Sequence, residues 1–204
     1  MTTDPWPFPG LKPAHYGFVL LDPPWFMSGG TKSRPQHYKR MLDREIAAIP
    51  LHLLARPEGC WFGVWITSPM NERFWQKVRP GWKLRYSARG WVWIKTHRRL
   101  RQDQRLLFVH PDSIHRGTGY TTRKNAEDLL LFKVGRPPRL VKDEFEVIFS
   151  PPREHSRKPD ESYERIERFA LGPYAELFCR SGRANWDSWG DEVGKFPAAE
   201  RRAA

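Results

Sequence analysis

Apolar residues in this chain come in short runs separated by polar stretches of helical character, and that alternation restricts the fold more than any other feature. The runs are GFVLLD (17–22), CWFGVWIT (60–67), ARGWVWIK (88–95), DLLLFKVG (128–135), FEVIFS (145–150) and YAELFCR (174–180). Each has the length and the β-branched or aromatic content of a strand. Helices are expected at about 43–56, with Asp43 as its cap, at 69–79 and at 159–171, the last opening on Pro159 with acidic residues in its first turn. Strands separated by helices predict an α/β layering around a largely parallel sheet. The 204 residues are expected to form a single domain, with loosely ordered ends at about 1–14 and 195–204. No apolar run approaches the roughly 18 residues a membrane-spanning helix needs.

The formal charge of +12 and a pI near 10.0 point to a polyanionic partner. Cations are densest in KTHRRLRQDQR (95–105), and Arg116, Arg123, Lys124, Arg136 and Arg139 follow. A basic run by itself is as readily a solvated surface. Ten tryptophans tilt the reading toward nucleic acid, because bases stack on aromatic faces while cations track the phosphates. The two cysteines, Cys60 and Cys179, are far apart and expected to stay reduced, and MTTDPWPFPG lacks the pattern of a secretory signal, so a cytoplasmic location is expected. The seven histidines have no metal-ligand spacing, so no metal site is expected and a metal-dependent hydrolase finds no support.

The stretch LLDPPWFMSGG (20–30) concentrates the chemistry. In open α/β sheets ligands collect at the carboxyl ends of strands, and Asp22 stands at such an end. Pro23 and Pro24 have no N–H of their own and fixed φ angles, so their carbonyls are rigid acceptors, and Trp25 offers a flat face. An amino group lodged there would give one hydrogen to Asp22 and the other to the Pro23 carbonyl. Such paired, fixed acceptors suit a poor nucleophile like the exocyclic amine of adenine. The alternative is a Pro-Pro turn with Trp25 packed in the core.

DPPW (22–25) resembles the signature of the MT-A70 family of adenine-N6 methyltransferases. The likeness extends through HYKRM (37–41), VWITSP (64–69), WVWIKT (91–96), GYTTRKNAE (119–127), REHSRKPDESYERIE (153–167), ELFCR (176–180) and NWDSWGDE (185–192), in the family's order. HSRKPDE with WDSWG is similar to the bacterial and phage branch in particular. The resemblance implies a Rossmann-like, S-adenosylmethionine-dependent methyltransferase fold of β-type motif order, with a mostly parallel central sheet flanked by helices. It implies methylation of the adenine N6 amino group, in DNA in preference to RNA, by a monomer or homodimer.

By the same resemblance the catalytic group is Asp22, Pro23, Pro24 and Trp25, and Asp22 also borders the cofactor's methionine moiety. Lys158 would meet the cofactor carboxylate, although by position alone it reads equally as a solvated lysine. Glu176 and Arg180 would lie on the ribose side, with Asp191 and Glu192 closing over the hydroxyls. Asp191 replaces an Asn usual in the bacterial pattern, so it can accept but not donate, and Cys179 replaces a Gly or Ala and is read as structural. On the substrate side stand Tyr38 in a loop beside the site, Arg98, Arg99, Arg101 and Arg105 in the basic run, and Arg123 with Glu127, which either line the pocket or form a structural ion pair. A base within a duplex must flip to reach such a pocket, unless the substrate is single-stranded. Two further readings share the motifs: an RNA adenosine methyltransferase, and an inactive subunit that only presents nucleic acid, the latter opposed by the intact DPPW.

Overall fold

The computed structural model describes residues 5–26, 40–97, 114–117, 121–154 and 157–196. Seven strands build one sheet: β1 (Phe18–Leu21), β2 (Gly59–Thr67), β3 (Arg85–Lys95), β4 (Ala126–Gly135), β5 (Val147–Ser150), β6 (Tyr174–Leu177) and β7 (Trp186–Trp189). Their spatial order is β5-β3-β4-β2-β1-β6-β7. Neighbours run parallel except where β4 lies antiparallel to both β2 and β3, so the sheet is mixed and mostly parallel, in keeping with a Rossmann-like fold. The chain leaves β1 toward β2 on one side and returns to its other side as β6, which makes the end of β1 a point where the strand order reverses.

Period-2 alternation divides the buried residues between the two faces. Val19, Leu21, Phe62, Val64 and Phe132 join a core with Ile46, Phe74 and Trp82. Phe18, Leu20, Trp61, Trp65, Trp91 and Trp93 join a second core under Tyr163, Ile166 and Phe169 of the helix Asp160–Phe169. With both faces covered, β1 and all but the last residue of β2 are buried, which explains why their sequences read as continuous apolar runs.

All six expected strands form, and β7 is additional. The helices differ more. The first is cut to α1 (Asp43–Ala47) because Pro50, which has no N–H to continue the ladder, precedes a separate 3-10 turn, Leu51–Leu54. Asp43 is its first residue, not its cap: Leu42 takes that place, its N–H bonding Glu45 Oε2 at 2.7 Å, while Asp43 pairs with Arg73. The second is a succession of a 3-10 turn (Ser68–Met70), a short α2 (Asn71–Arg73) and a π turn (Phe74–Val78), bracketed by Pro69 and Pro80. The third, α3, runs Asp160–Phe169 behind Pro159. No described helix is long and apolar enough to cross a membrane.

Candidate functional site

The carboxyl ends of β1, β2, β3, β5 and β6 lie on one edge of the sheet, with the start of the antiparallel β4 among them. Along that edge an open cleft is bounded by Asp22, Arg157, Lys158, Asp160, Tyr163, Glu176, Phe178, Arg180, Ser181, Arg183 and Phe196. Asp22 follows β1 and Phe178 follows β6, at adjacent places because Leu21 is in register with Leu177. Phe178 holds a left-handed φ of 63°, strained for a residue with a Cβ, and its ring meets Trp189 edge-on at 5.5 Å.

Asp22 is half-buried, and its Oδ2 lies 3.0 Å from the Lys158 ammonium. Lys158 Nζ is also 2.9 Å from Glu127 Oε2, and the other Glu127 oxygen is 2.5 Å from Lys95 Nζ. Burial alone disfavours charge on Lys158, but Asp22 and Glu127 outweigh it and raise its pKa. Burial likewise works against an ionised Glu127, yet Lys158 and Lys95 hold it at about 2. Lys158 is therefore not a solvated lysine. Two of its three N–H groups serve carboxylates, leaving one for the cleft it lines. Glu127 pairs with the two lysines and not with Arg123, which is exposed.

The Pro-Pro turn differs in two respects from the sequence reading. The Pro23 carbonyl already accepts the Trp25 N–H at 2.9 Å, and the Pro24 carbonyl the Met41 N–H at 2.8 Å, so neither is without a competing donor. Each carbonyl keeps its second lone pair. Trp25 is only 8% exposed and sits in the core with Phe74 edge-on at 6.4 Å, instead of presenting a free face.

Glu176, at the end of β6, is buried, and burial raises its pKa to about 7 despite the Tyr163 hydrogen bond, with Asp22 adding to the rise. Cys179 is a free, buried thiol pushed up to about 12 by burial and by Glu176, consistent with a structural part. Arg180 pairs with Glu192 at 3.0 Å, and Glu192 also meets Lys195. Only Arg180 of these three bounds the cleft, and Asp191, just past Gly190, is exposed and not among the bounding residues. Of the two residues expected to close over the ribose hydroxyls, Asp191 is exposed and Glu192 is engaged by Arg180 and Lys195. Tyr38, Arg98, Arg99, Arg101 and Arg105 lie outside the described residues.

Among the cleft residues that the sequence did not single out are Asp160, Tyr163 and Arg183. Asp160 is held between Arg153 at 2.7 Å and Arg183 at 2.5 Å, and Arg183 lies over the Tyr163 ring at 4.1 Å. Their signal was available in part, since Asp160 and Tyr163 belong to the HSRKPDESY stretch. Arg183 had none, lying in the connection between β6 and β7. Among the described residues, no group of three or more His, Cys, Asp or Glu could hold a metal ion.

An α/β sheet with an acidic and basic cleft at a strand-order reversal defines a binder of small polar ligands such as nucleotides. The MT-A70 family model matches residues 16–192, and the chain belongs to that family. It is similar to human N(6)-adenine-specific methyltransferase METTL4, 28% identical over 197 residues, covering 89% of this chain and 38% of that protein. It is 30% identical over 182 residues to the putative N(6)-adenosine-methyltransferase MT-A70-like of Medicago truncatula (87% and 26%). It is 28% identical over 200 residues to the N6-methyladenosine RNA methyltransferase MTA1 of Cryphonectria parasitica (91% and 54%). The chain thus spans between about a quarter and about half of these relatives' lengths.

Proposed function

We propose that this chain transfers the methyl group of S-adenosylmethionine to the N6 amino group of adenine in nucleic acid, DNA in preference to RNA. The observation that carries the reading is that Asp22, at the end of β1, bounds the same cleft as Glu176 and Phe178 at the end of β6. An acceptor for an amine and a set of groups for a nucleoside thus share one space.

The donor set of the cleft fits the cofactor. Glu176 suits a vicinal diol, and Phe178 and Phe196 offer apolar faces to a purine. Lys158 and Arg180 suit a carboxylate, Asp22 an ammonium. When bound, S-adenosylmethionine supplies an electrophilic methyl carbon on a sulfonium. The chain's own part is positional. The Asp22 carboxylate and the free lone pair of Pro23 O accept the two amino N–H groups of adenine, and Asp22 takes up the proton that N6 releases. Their orientation is fixed before the substrate arrives, Asp22 by Lys158 and Pro23 by its ring, so little reorganisation is needed as charge develops.

The preference for DNA rests on the likeness of HSRKPDE and WDSWG to the small bacterial and phage members. RNA is the competing substrate, favoured by the name of the Cryphonectria relative. The basic run 95–105 would track the phosphates, with Tyr38 closing on the base. Tritium transfer to matched duplex DNA, single-stranded DNA and RNA oligomers, with digestion to nucleosides, tests the reading. N6-methyladenine formed fastest in DNA is the expected result. Faster transfer to RNA would reassign the substrate, and transfer to none would overturn the activity.

A further inference from the structure

Asp22, Lys158, Glu127 and Lys95 form an alternating chain of charge along the carboxyl edge of the sheet, one member each from the end of β1, the segment before α3, the start of β4 and the end of β3. Its middle is shut in: the Lys158 and Glu127 side chains are 6% and 10% exposed, against 21% for Asp22 and 22% for Lys95. One end opens on the cleft, and the other is where the run 95–105 begins. The Lys158 ammonium lies 5.4 Å from the Trp65 ring centroid, which confines it further.

We propose that Lys95 and Glu127 are positioning residues for Asp22, setting where the Lys158 ammonium sits and so which way the Asp22 carboxylate faces. The inference rests on the function proposed above. Glu127 places one oxygen on each lysine, so Lys158 is shared between two carboxylates and engages Asp22 through Oδ2. Without Lys95, Glu127 has one cation for two oxygens and draws Lys158 away from Asp22. Without Glu127, Lys158 pairs with Asp22 alone and competes with the substrate amine for its lone pairs. Either change moves the acceptor, and misplacement of a reacting group by about 1 Å costs of order 10²-fold in rate. A cluster that merely ties strand ends together would lose stability on the same substitutions and leave the chemistry alone.

The test follows the side-chain ammonium resonances of the whole chain labelled with ¹⁵N-lysine, Lys158 being assigned by its loss in Lys158→Arg, together with steady-state kinetics. Lys95→Met is expected to shift the Lys158 resonance as Glu127→Gln does. It should lower kcat for adenine methylation by about tenfold to 10²-fold while the KM for S-adenosylmethionine holds, and Lys95→Arg should restore both readouts. An unmoved Lys158 resonance in folded Lys95→Met, an unchanged kcat, or a loss that Lys95→Arg does not recover would overturn the inference. If Lys95→Met does not fold, Lys95→Gln carries the same test, since it keeps a donor and removes the charge. An inactive parent chain would count against the proposed function alone, and the resonance shift would still judge the linkage in either direction.

Discussion

The Tyr163 hydroxyl donates to Glu176 Oε1 at 2.9 Å, joining α3 to the end of β6 within the cleft. Both side chains are buried, and burial raises the Glu176 pKa to about 7, against the Tyr163 hydrogen bond. A carboxyl whose folded pKa exceeds its unfolded one binds its proton more tightly when folded. Its contribution to stability is therefore greatest at low pH and is lost as pH rises through the window from the ordinary carboxylate value to about 7. Between pH 5 and 8 the loss should be about 2–3 kcal/mol. Glu176→Gln removes the titration, so denaturant unfolding of parent and variant should converge at pH 5 and separate in the variant's favour at pH 8. Parallel pH curves would show that Glu176 is already ionised.

Ligand binding has the opposite sign. If the ionised carboxylate accepts the ribose hydroxyls, binding favours the deprotonated form. Affinity for S-adenosylhomocysteine should then fall as pH drops below about 7, by up to about tenfold per unit. Calorimetry at several pH values reads this directly, and Glu176→Gln should bind weakly with a flat profile. A parent affinity indifferent to pH would remove Glu176 from the ribose role.

Asp22→Asn tests the acceptor with little disturbance of the fold, since Lys158 keeps Glu127 as its carboxylate partner. Methyl transfer should fall by about 10²–10³, the usual cost of one preorganised polar contact. A folded Asp22→Asn protein with near-parental turnover would sink the mechanism. Trp25→Ala is the poorer probe: at 8% exposure the indole is a core side chain, and its removal should cost about 3–5 kcal/mol of stability.

How much of this was legible in the sequence depends on what each element rests on. The strands β1 and β2 declare themselves because both faces of the sheet are covered, so FVLL and CWFGVWI need only be apolar throughout. β7 is four residues in which Asp187 and Ser188 interrupt two tryptophans, too short and too polar to stand out, and its pairing with β6 is a tertiary fact. The region after Asp43 carries a helical pattern that Pro50 divides. In the site, Asp22, Lys158 and Glu176 could be named from their motifs, but not the sharing of Lys158 between Asp22 and Glu127, residues 136 and 31 positions away from it in the chain. Arg183 entered the cleft unannounced for the same reason: partners that remote are fixed by topology.

Gly17, immediately before β1, allows a close approach on which the central strand depends. A Cβ there would lie 2.1 Å from the Leu171 carbonyl oxygen and 3.0 Å from that of Gly172, both backbone atoms that cannot swing aside. Its own N–H and carbonyl are fixed by Pro173 O at 2.9 Å and Trp61 N at 2.9 Å. Gly17→Ala must therefore separate β1 from the segment leading into β6, and overpacking of this kind costs about 1–3 kcal/mol or more. Thermal unfolding should show a lowered Tm, with weakened S-adenosylhomocysteine binding because Asp22 and Glu176 are carried by the two strands displaced. A parental Tm in Gly17→Ala would mean that this junction yields freely.

Arg165 of α3 covers the edge of the sheet. β5 pairs only with β3 among the described strands, and the Glu146 carbonyl points inward, accepting the Val92 N–H at 2.9 Å. The alternate carbonyls of Phe145 and Val147 receive the Arg165 guanidinium instead, the latter at 3.0 Å. On this edge Phe145 is 82% exposed, and Val147 and Phe149 are exposed as well. Unpaired edge groups beside apolar side chains are a template for pairing with another chain, and a charged side chain laid across them blocks it. Arg165→Ala should lose about 1.5–3 kcal/mol from the hydrogen bonds to a charged donor and gain a concentration-dependent tendency to associate. Sedimentation velocity over a dilution series, beside denaturant unfolding, separates the two effects. Adding Phe145→Lys to Arg165→Ala should suppress the association without restoring the stability. If Arg165→Ala sediments as the parent does at every concentration, the guanidinium braces α3 and protects nothing.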